Sequence, residues 1–343
     1  MGGSLAENLQ RAGGPGAIVV GAGLMGRHHA QAAAAAGARI AAIVDPDRAA
    51  ATALAASWPG AVAETDLVRA LQSVPADAAH ICTPLPTHAE VSGLVADAGL
   101  HALIEKPVAA SAGETMRIHE RFAGKGRLAC PTHQYAFQRS VTDTAGWLPQ
   151  AGALRRIAFD ICSAGAAHGL DADEIAADIL PHPLSMVQKL LPSVDLAALK
   201  WSCVRPAPGE WVIAAPIEGA ALVIQLSMSG RPTRFMTRVT ADGGSVELDN
   251  FHDFAVAWPG TVSRAAKIVQ PFLRSGLGLA AAGWNLAART ARRESAYPGL
   301  RTLVRDFYRA VENPADVPAP ITAEQSIAVA EARDRIIALA GHG

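Results

Sequence analysis

The apolar run Ala17 to Val20 stops at three glycines, Gly21, Gly23 and Gly26, spaced G-x-G-x-x-G, and an alanine-rich segment follows as far as Gly37. That order predicts a strand, a tight turn and a helix, and each glycine has its own physical task. Gly21 makes the turn, Gly23 lets the backbone approach a pyrophosphate, and Gly26 lets the helix lie close to the strand. The free N–H groups and positive end of this helix, which opens with Leu24 and Met25, then face the phosphates. Glycines collect in any turn, so the surroundings decide. A second apolar run, Arg39 to Val44, ends in Asp45, 19 residues after Gly26. A carboxylate at that strand end accepts hydrogen bonds from a ribose diol and repels a 2′-phosphate. Pro46 and Asp47 follow it, with no arginine or serine directly behind, so NAD is expected over NADP. Asp45 is also a good N-cap for a helix starting at Pro46, and the two roles are compatible.

With 343 residues, half of them hydrophobic, the chain is long enough for two domains and a large core. A net charge of -1 offers no basic excess to neutralise phosphates and argues against a nucleic-acid partner. Cys82, Cys130, Cys162 and Cys203 are scattered, with no C-x-x-C. They read as free thiols in a reducing compartment, not as a disulfide frame or a zinc site. Residues 1–16 lack the apolar centre of a signal peptide and read as a loose tail. No charge-free apolar stretch reaches the roughly 18 residues of a spanning helix. A cytoplasmic location and a small-molecule partner are the expectation.

From Ala17 to about Thr132 apolar runs at 17–20, 39–44, 78–82, 101–104 and 127–130 alternate with helical segments near 24–37, 47–57, 65–73, 87–99 and 111–123. Such alternation implies a doubly wound parallel sheet covered on both faces, a dinucleotide-binding Rossmann domain over residues 17–134. Ligands in these sheets sit beyond the carboxyl ends of the strands. Three strand ends carry polar or proline-fixed residues there: Thr83-Pro84 with Thr87-His88, Glu105-Lys106-Pro107, and His133-Gln134-Tyr135.

Beyond residue 150 the pattern changes. A strand over 153–163 leads through a Gly/Ala loop to Asp171 and a helical segment ending near Leu191. Extended runs follow at 198–205, 210–216, 220–228, 234–240, 245–249 and 253–258, joined by short turns. Consecutive strands of this kind imply an α/β domain, 135–343, on a large, mostly antiparallel open sheet. The basic apolar stretch 261–293 reads as a helical pair on that sheet; a lid, an oligomer contact and a membrane-surface helix are the alternatives. Helices over 300–312 and 322–340 close the chain and are free to pack back on the first domain.

Four local features together resemble the Gfo/Idh/MocA oxidoreductases, from about residue 17 to about 340. They are Gly21-x-Gly23-x-x-Gly26 followed by His29-Ala30, Thr83-Pro84 with Thr87-His88, Glu105-Lys106-Pro107, and Asp178 with His182 four residues on. The resemblance implies a nicotinamide dinucleotide, oxidation or reduction of sugars and related alcohols, and a C-terminal sheet that mediates homodimers or homotetramers. It also implies that Lys106 touches the reacting oxygen and that His182 is the general acid/base. In one place the chain departs from the family: Ser185 stands where a second carboxylate usually follows the histidine, which puts a simple polyol substrate in doubt.

The residues themselves support this chemistry. A lysine in a partly dry site polarises an oxygen, and Pro107 biases Lys106 to an extended backbone; the plain alternative is a surface Lys106–Glu105 pair. Pro181 and Pro183 cannot sit inside a helix, so one should start near Leu180 with both in its first turn. His182 then lies at a helix N-terminus, where positive potential favours the neutral imidazole that accepts a proton; a histidine satisfied within the fold is the alternative. Thr83, Pro84, His88 and Glu105 are assigned to the cofactor. His133, Gln134, Asp178 and Ser185 are assigned to the substrate, and His29 to packing beneath the glycine loop. No metal site is expected, because Asp178 and His182 lack a third ligand nearby. An NAD-dependent hydride transfer at a secondary alcohol or ketone of a sugar derivative or specialised metabolite is the leading expectation. A non-catalytic dinucleotide-binding sensor and a reductase of imines or conjugated double bonds stand beside it.

Overall fold

The computed structural model describes residues 13–163, 171–217, 219–260, 263–292, 294 and 296–341. The chain divides into two compact units, residues 1–133 with 300–330, and residues 134–299 with 331–343.

In the first unit, β1 (Gly16–Val20), α1 (Leu24–Ala35), β2 (Arg39–Val44), α2 (Arg48–Ala55), β3 (Val62–Glu64), α3 (Leu67–Ser73), β4 (Ala78–Ile81), α4 (His88–Asp97), β5 (His101–Ile104), α5 (Ala112–Ala123) and β6 (Ala129–Pro131) follow in chain order. The strands form one parallel sheet in the order β3-β2-β1-β4-β5-β6. The chain reverses its direction of strand addition between β1 and β4, which opens a crevice at the carboxyl ends there. Registers align those ends: Val20 lies opposite both Val44 and Ile81. Backbone bonds fix the chain just beyond, from Gly21 N to Val44 O, Cys82 N to Val20 O, Glu105 N to Ile81 O and Thr132 N to Ile104 O. The loops that carry chemistry therefore leave the sheet at one level. Ile18, Val20, Val44, Ile81 and Ile104 from the strands bury against Val95, Ile118 and Phe122 of the helices.

Two differences from the sequence reading stand out here. β3 has only three residues and pairs on the sheet edge with one partner, and its Val62 is exposed; so short an edge strand leaves no apolar run to detect. The helix after Asp45 is capped by Asp47, which accepts from Ala49 N and Ala50 N, so Asp45 is not its cap.

The second unit begins with α6 (Arg139–Trp147) and β7 (Leu154–Cys162), continues through α7 (Ala172–Ile179) and α8 (Pro181–Leu190), and adds β8 (Ser202–Ala207), β9 (Glu210–Ile217), β10 (Ala220–Ser227), β11 (Arg234–Ala241), β12 (Gly244–Asp249) and β13 (Phe254–Pro259). The sheet order is β13-β12-β11-β7-β10-β9-β8, antiparallel except for β7 with β10. Alternate residues Ile157, Phe159, Ile213, Ile224, Phe235, Val239 and Leu248 are buried, as expected for a sheet with one covered face. Most of the Gly/Ala loop before Asp171, residues 164–170, and most of the N-terminal stretch 1–16 lie outside the described residues.

The stretch 261–293 is one continuous helix, α9 (Arg264–Ala291), and not a pair, with Pro271 inside it. Its Arg274 reaches Glu247 and lies over the Trp258 ring, and Asn285 donates to His252 O. Its apolar side chains, Phe272, Leu279 and Trp284 among them, are exposed. No described helix is long and apolar enough to cross a membrane. The chain ends with α10 (Leu300–Glu312), which packs on α1, and α11 (Ala323–Gly341).

Candidate functional site

The glycine loop has the geometry its spacing implies. Gly21 has φ +99, and a Cβ there would lie 2.6 Å from the carbonyl oxygen of Cys82. A Cβ on Gly26 would lie 1.8 Å from the Gly21 oxygen, so the helix could not seat against β1. Gly23 differs: a Cβ there would meet nothing within 4 Å, and it would project into open space at the start of α1. No side chain caps that helix, which leaves its first N–H groups to a ligand.

The loop borders a cavity of about 690 Å³, lined by Gly21, Gly23, Leu24, Met25, Asp45, Thr83 and Pro84, with Val20, Val44, Pro46, Thr65, Leu67, Cys82, Thr87 and Val91 completing the wall. Asp45 Oδ2 accepts from Ala22 N at 2.7 Å, and Oδ1 accepts from Asp47 N at 2.9 Å. The carboxylate is thus aimed by two backbone donors from different loops. Thr87 Oγ1 donates within its own loop to Pro84 O and is left to accept from the Thr83 hydroxyl, both at 2.8 Å.

His88, at the start of α4, is buried, and its ring is spent on main chain. Nδ1 faces Pro107 O at 2.9 Å and Val108 O at 3.2 Å, while Nε2 faces Thr83 O at 2.8 Å. It staples the loop after β4 to the loop after β5. Glu105 and Lys106 open that second loop, and the Lys106–Pro107 peptide is cis. Glu105 is buried; its Oε1 lies 2.9 Å from His29 Nε2, and its Oε2 accepts from Lys106 N at 3.2 Å. The surface-pair alternative for Glu105 and Lys106 fails, because the Glu105 carboxylate is tied to His29 inside the unit.

Past β6, His133 is buried, and its Nδ1 has no partner among the described residues. Burial, with the Lys106 cation and His119 facing it, pushes its imidazole down to about 3. The neutral ring and the ammonium therefore share one neighbourhood. His119, on α5, is pushed down to about 4 by burial, with Glu324 opposing.

In the second unit His182 is the second residue of α8, between Pro181 and Pro183, and is mostly buried. The Tyr135 ring meets its imidazole edge-on, with centroids 4.6 Å apart, and Tyr135 also packs on Phe235 at 4.9 Å. Burial raises the Tyr135 phenol far above its ordinary range, so it stays a neutral wall beside the histidine. Ser185 Oγ donates to His182 O at 2.9 Å, within its own helix. Asp178 belongs to the preceding helix α7 and faces the buried guanidinium of Arg333, whose Nε donates to Ala177 O at 3.0 Å. Gln134 is buried, and its side-chain oxygen meets no partner among the described residues.

Three residues escaped the sequence reading, Arg333, His80 and Tyr308, and Tyr135 was singled out at its strand end without its partner His182. His80 hides inside the apolar run of β4, and Arg333 and Tyr308 come close to their partners only through the fold. The odd histidine in an otherwise apolar strand is the one local signal that pointed at any of them.

Residues 16–133 match the oxidoreductase family with an NAD-binding Rossmann fold. The chain is similar to inositol 2-dehydrogenase 1 of Saccharopolyspora erythraea, 32% identical over 243 residues, or 68% of this chain. The match spans 66% of that relative's own length, just under two thirds. Its fold is like that of a levoglucosan dehydrogenase solved with NADH and levoglucosan, with a TM-score of 0.74 at 15% identity over 96% of this chain and 98% of that one. It is also like that of the UDP-N-acetylglucosamine 3-dehydrogenase of Acidithiobacillus ferrooxidans, with a TM-score of 0.72 at 20% identity over 95% and 97%.

Proposed function

Since this chain belongs to the Gfo/Idh/MocA oxidoreductases, with their NAD-binding Rossmann fold, we propose that it oxidises a secondary alcohol of a cyclic polyol or sugar derivative, or reduces the matching ketone, using NAD. The observation that carries this reading is the cavity at the glycine loop, where Asp45 is held by Ala22 N and Asp47 N. A dinucleotide fits these residues: Gly23 leaves room for a pyrophosphate at an uncapped helix end, and the aimed carboxylate accepts from a ribose diol. A 2′-phosphate would meet that carboxylate as a like charge, which favours NAD over NADP.

When bound, the nicotinamide supplies the hydride acceptor or donor. The protein's own groups manage the oxygen and the proton. Lys106 donates a hydrogen bond to the reacting oxygen and offsets negative charge as it develops. His182 Nε2 or Nδ1 takes the hydroxyl proton as the carbonyl forms, and returns it in the reverse direction. Its place in the first turn of α8 favours the neutral imidazole that this step needs. Tyr135 restricts the ring's orientation, and His133 and Gln134 offer buried polar atoms to substrate hydroxyls. Copies of the chain associate through the C-terminal sheet, where Val204 and Val212 are exposed.

Reduction of NAD by a panel of inositols and sugar derivatives tests the reading. Turnover with at least one of them, with NADP much poorer, supports it. Tight NAD binding with no turnover of alcohols, ketones or imines would mark the chain as a dinucleotide-dependent sensor instead.

A further inference from the structure

Behind Lys106, a line of buried polar groups crosses the first unit, from the glycine helix through the sheet to α10. Tyr308 Oη lies 2.7 Å from His80 Nε2, His80 Nδ1 lies 3.0 Å from His29 Nδ1, and His29 Nε2 lies 2.9 Å from Glu105 Oε1. The other Glu105 oxygen accepts from Lys106 N. His29, His80 and Tyr308 are at most 1% exposed. The three side chains belong to α1, β4 and α10, so only the fold makes the line continuous. The His29 and His80 rings cross at 87°, and Phe307 packs edge-on against His80.

The donors and acceptors have one consistent assignment with neutral rings. A carboxylate only accepts, so His29 Nε2 carries the proton that reaches Glu105. A neutral imidazole has one N–H, so His29 Nδ1 then accepts, and His80 Nδ1 must donate to it. His80 Nε2 is left as an acceptor, and the Tyr308 hydroxyl donates to it. Burial, with His29 beside it, holds His80 well below the ordinary imidazole range, in keeping with a neutral ring. Every donor along the line points toward Glu105, and each bond polarises the next in the dry interior.

We propose that Tyr308 and His80 are positioning residues for Lys106: through His29 they fix the Glu105 carboxylate, whose second oxygen holds the Lys106 backbone. This rests on the reading of Lys106 as the group that touches the substrate oxygen. Neither residue meets substrate or cofactor. Their effect is to keep the lysine loop in one geometry, so that the ammonium reaches its target without reorganising.

Two measurements on the full chain test the proposal, and the first needs no substrate. Nitrogen NMR of histidine-labelled protein should find His80 protonated at Nδ1 and His29 at Nε2. The opposite tautomers, or a His29 imidazolium, would overturn the oriented line whether or not the protein proves to be a dehydrogenase. The second compares Tyr308→Phe, His80→Val, Glu105→Gln and the double variant His80→Val/Glu105→Gln. Each single variant should lower kcat about 3- to 10-fold while Kd for NAD stays within about twofold, and the double variant should match Glu105→Gln alone, since coupled groups are non-additive. Labelling of Lys106 by an amine-specific reagent should change rate in His80→Val, which is again independent of turnover. Tyr308→Phe with wild-type kcat, together with unchanged Lys106 labelling in His80→Val, would reduce the line to a packing feature. Should His80→Val fail to fold, the wild-type tautomers and Tyr308→Phe still decide.

Discussion

Asp45 Oδ2 accepts the Ala22 N–H at 2.7 Å, so the carboxylate proposed to select the ribose also anchors the glycine loop proposed to hold the phosphates. The two tasks separate on substitution. Asp45→Asn keeps an oxygen for Ala22 N but loses the charge and the bond from Asp47 N, and should relax discrimination against NADP at a cost of about 0.5–1.5 kcal/mol of stability. Asp45→Ala loses both, and should weaken NAD binding by about tenfold or more, the worth of one good charge-assisted hydrogen bond. Fluorescence titration with both cofactors gives the two ratios. Unchanged NAD preference in Asp45→Asn would remove the carboxylate from the selection.

Gly23 and Gly26 should fail in different ways. A Cβ on Gly26 would collide with the Gly21 oxygen at 1.8 Å, so Gly26→Ala should displace α1, lower the melting temperature and abolish NAD binding together. Gly23→Ala meets no protein atom within 4 Å and should melt like the parent while binding NAD at least about tenfold more weakly, because its methyl occupies the phosphate's place. Thermal melts with and without NAD distinguish the two.

Ser185 occupies the position of a carboxylate in the family pattern, but its hydroxyl is spent on His182 O, 2.9 Å away. Ser185→Ala should therefore cost about 0.5–1.5 kcal/mol of stability and leave KM for the true substrate nearly unchanged. A large rise in KM without loss of stability would show instead that the hydroxyl serves the substrate.

The geometry of the glycine loop and of Asp45 was legible because it is local. Gly21, Gly23, Gly26 and Asp45 lie at strand ends, where the period of the pattern changes, and each needs a residue type that few others can replace. The split at Pro181 was equally readable, since a proline restricts the backbone before it and suits a helix's first turn. What the sequence could not show depends on contacts between distant segments. Tyr135 gains meaning only beside His182, and His80 only beside Tyr308, 228 positions on. The helix 264–291 was misread as a pair because Pro271, which normally breaks a helix, sits inside it.

His119 and His133 set an acid limb. Both imidazoles titrate lower in the folded protein, at about 4 and about 3, than the ordinary 6.5 of an exposed histidine. Between the folded and unfolded values the unfolded chain binds more protons, so stability falls as the pH drops from about 6.5 toward 3 and is fully present above 6.5. A tenfold difference in proton affinity between the folded and unfolded chain corresponds to about 1.4 kcal/mol. Urea unfolding across that range should show the fall, and His119→Gln should flatten it between about pH 6.5 and 4, the interval over which a neutral His119 matters. An identical slope in the variant would remove His119 from the effect.

Hydride-coupled chemistry on an alcohol is the role proposed for Lys106 and His182. It is tested most directly by NADH formation at saturating NAD and polyol in the parent, Lys106→Ala and His182→Ala, with Kd for NAD measured alongside. The expected result is turnover in the parent and a fall in kcat of about 100-fold or more in each variant, the usual worth of a positioned acid–base group, with His182→Ala binding NAD as the parent does. Turnover at the parental rate in either variant would contradict the account.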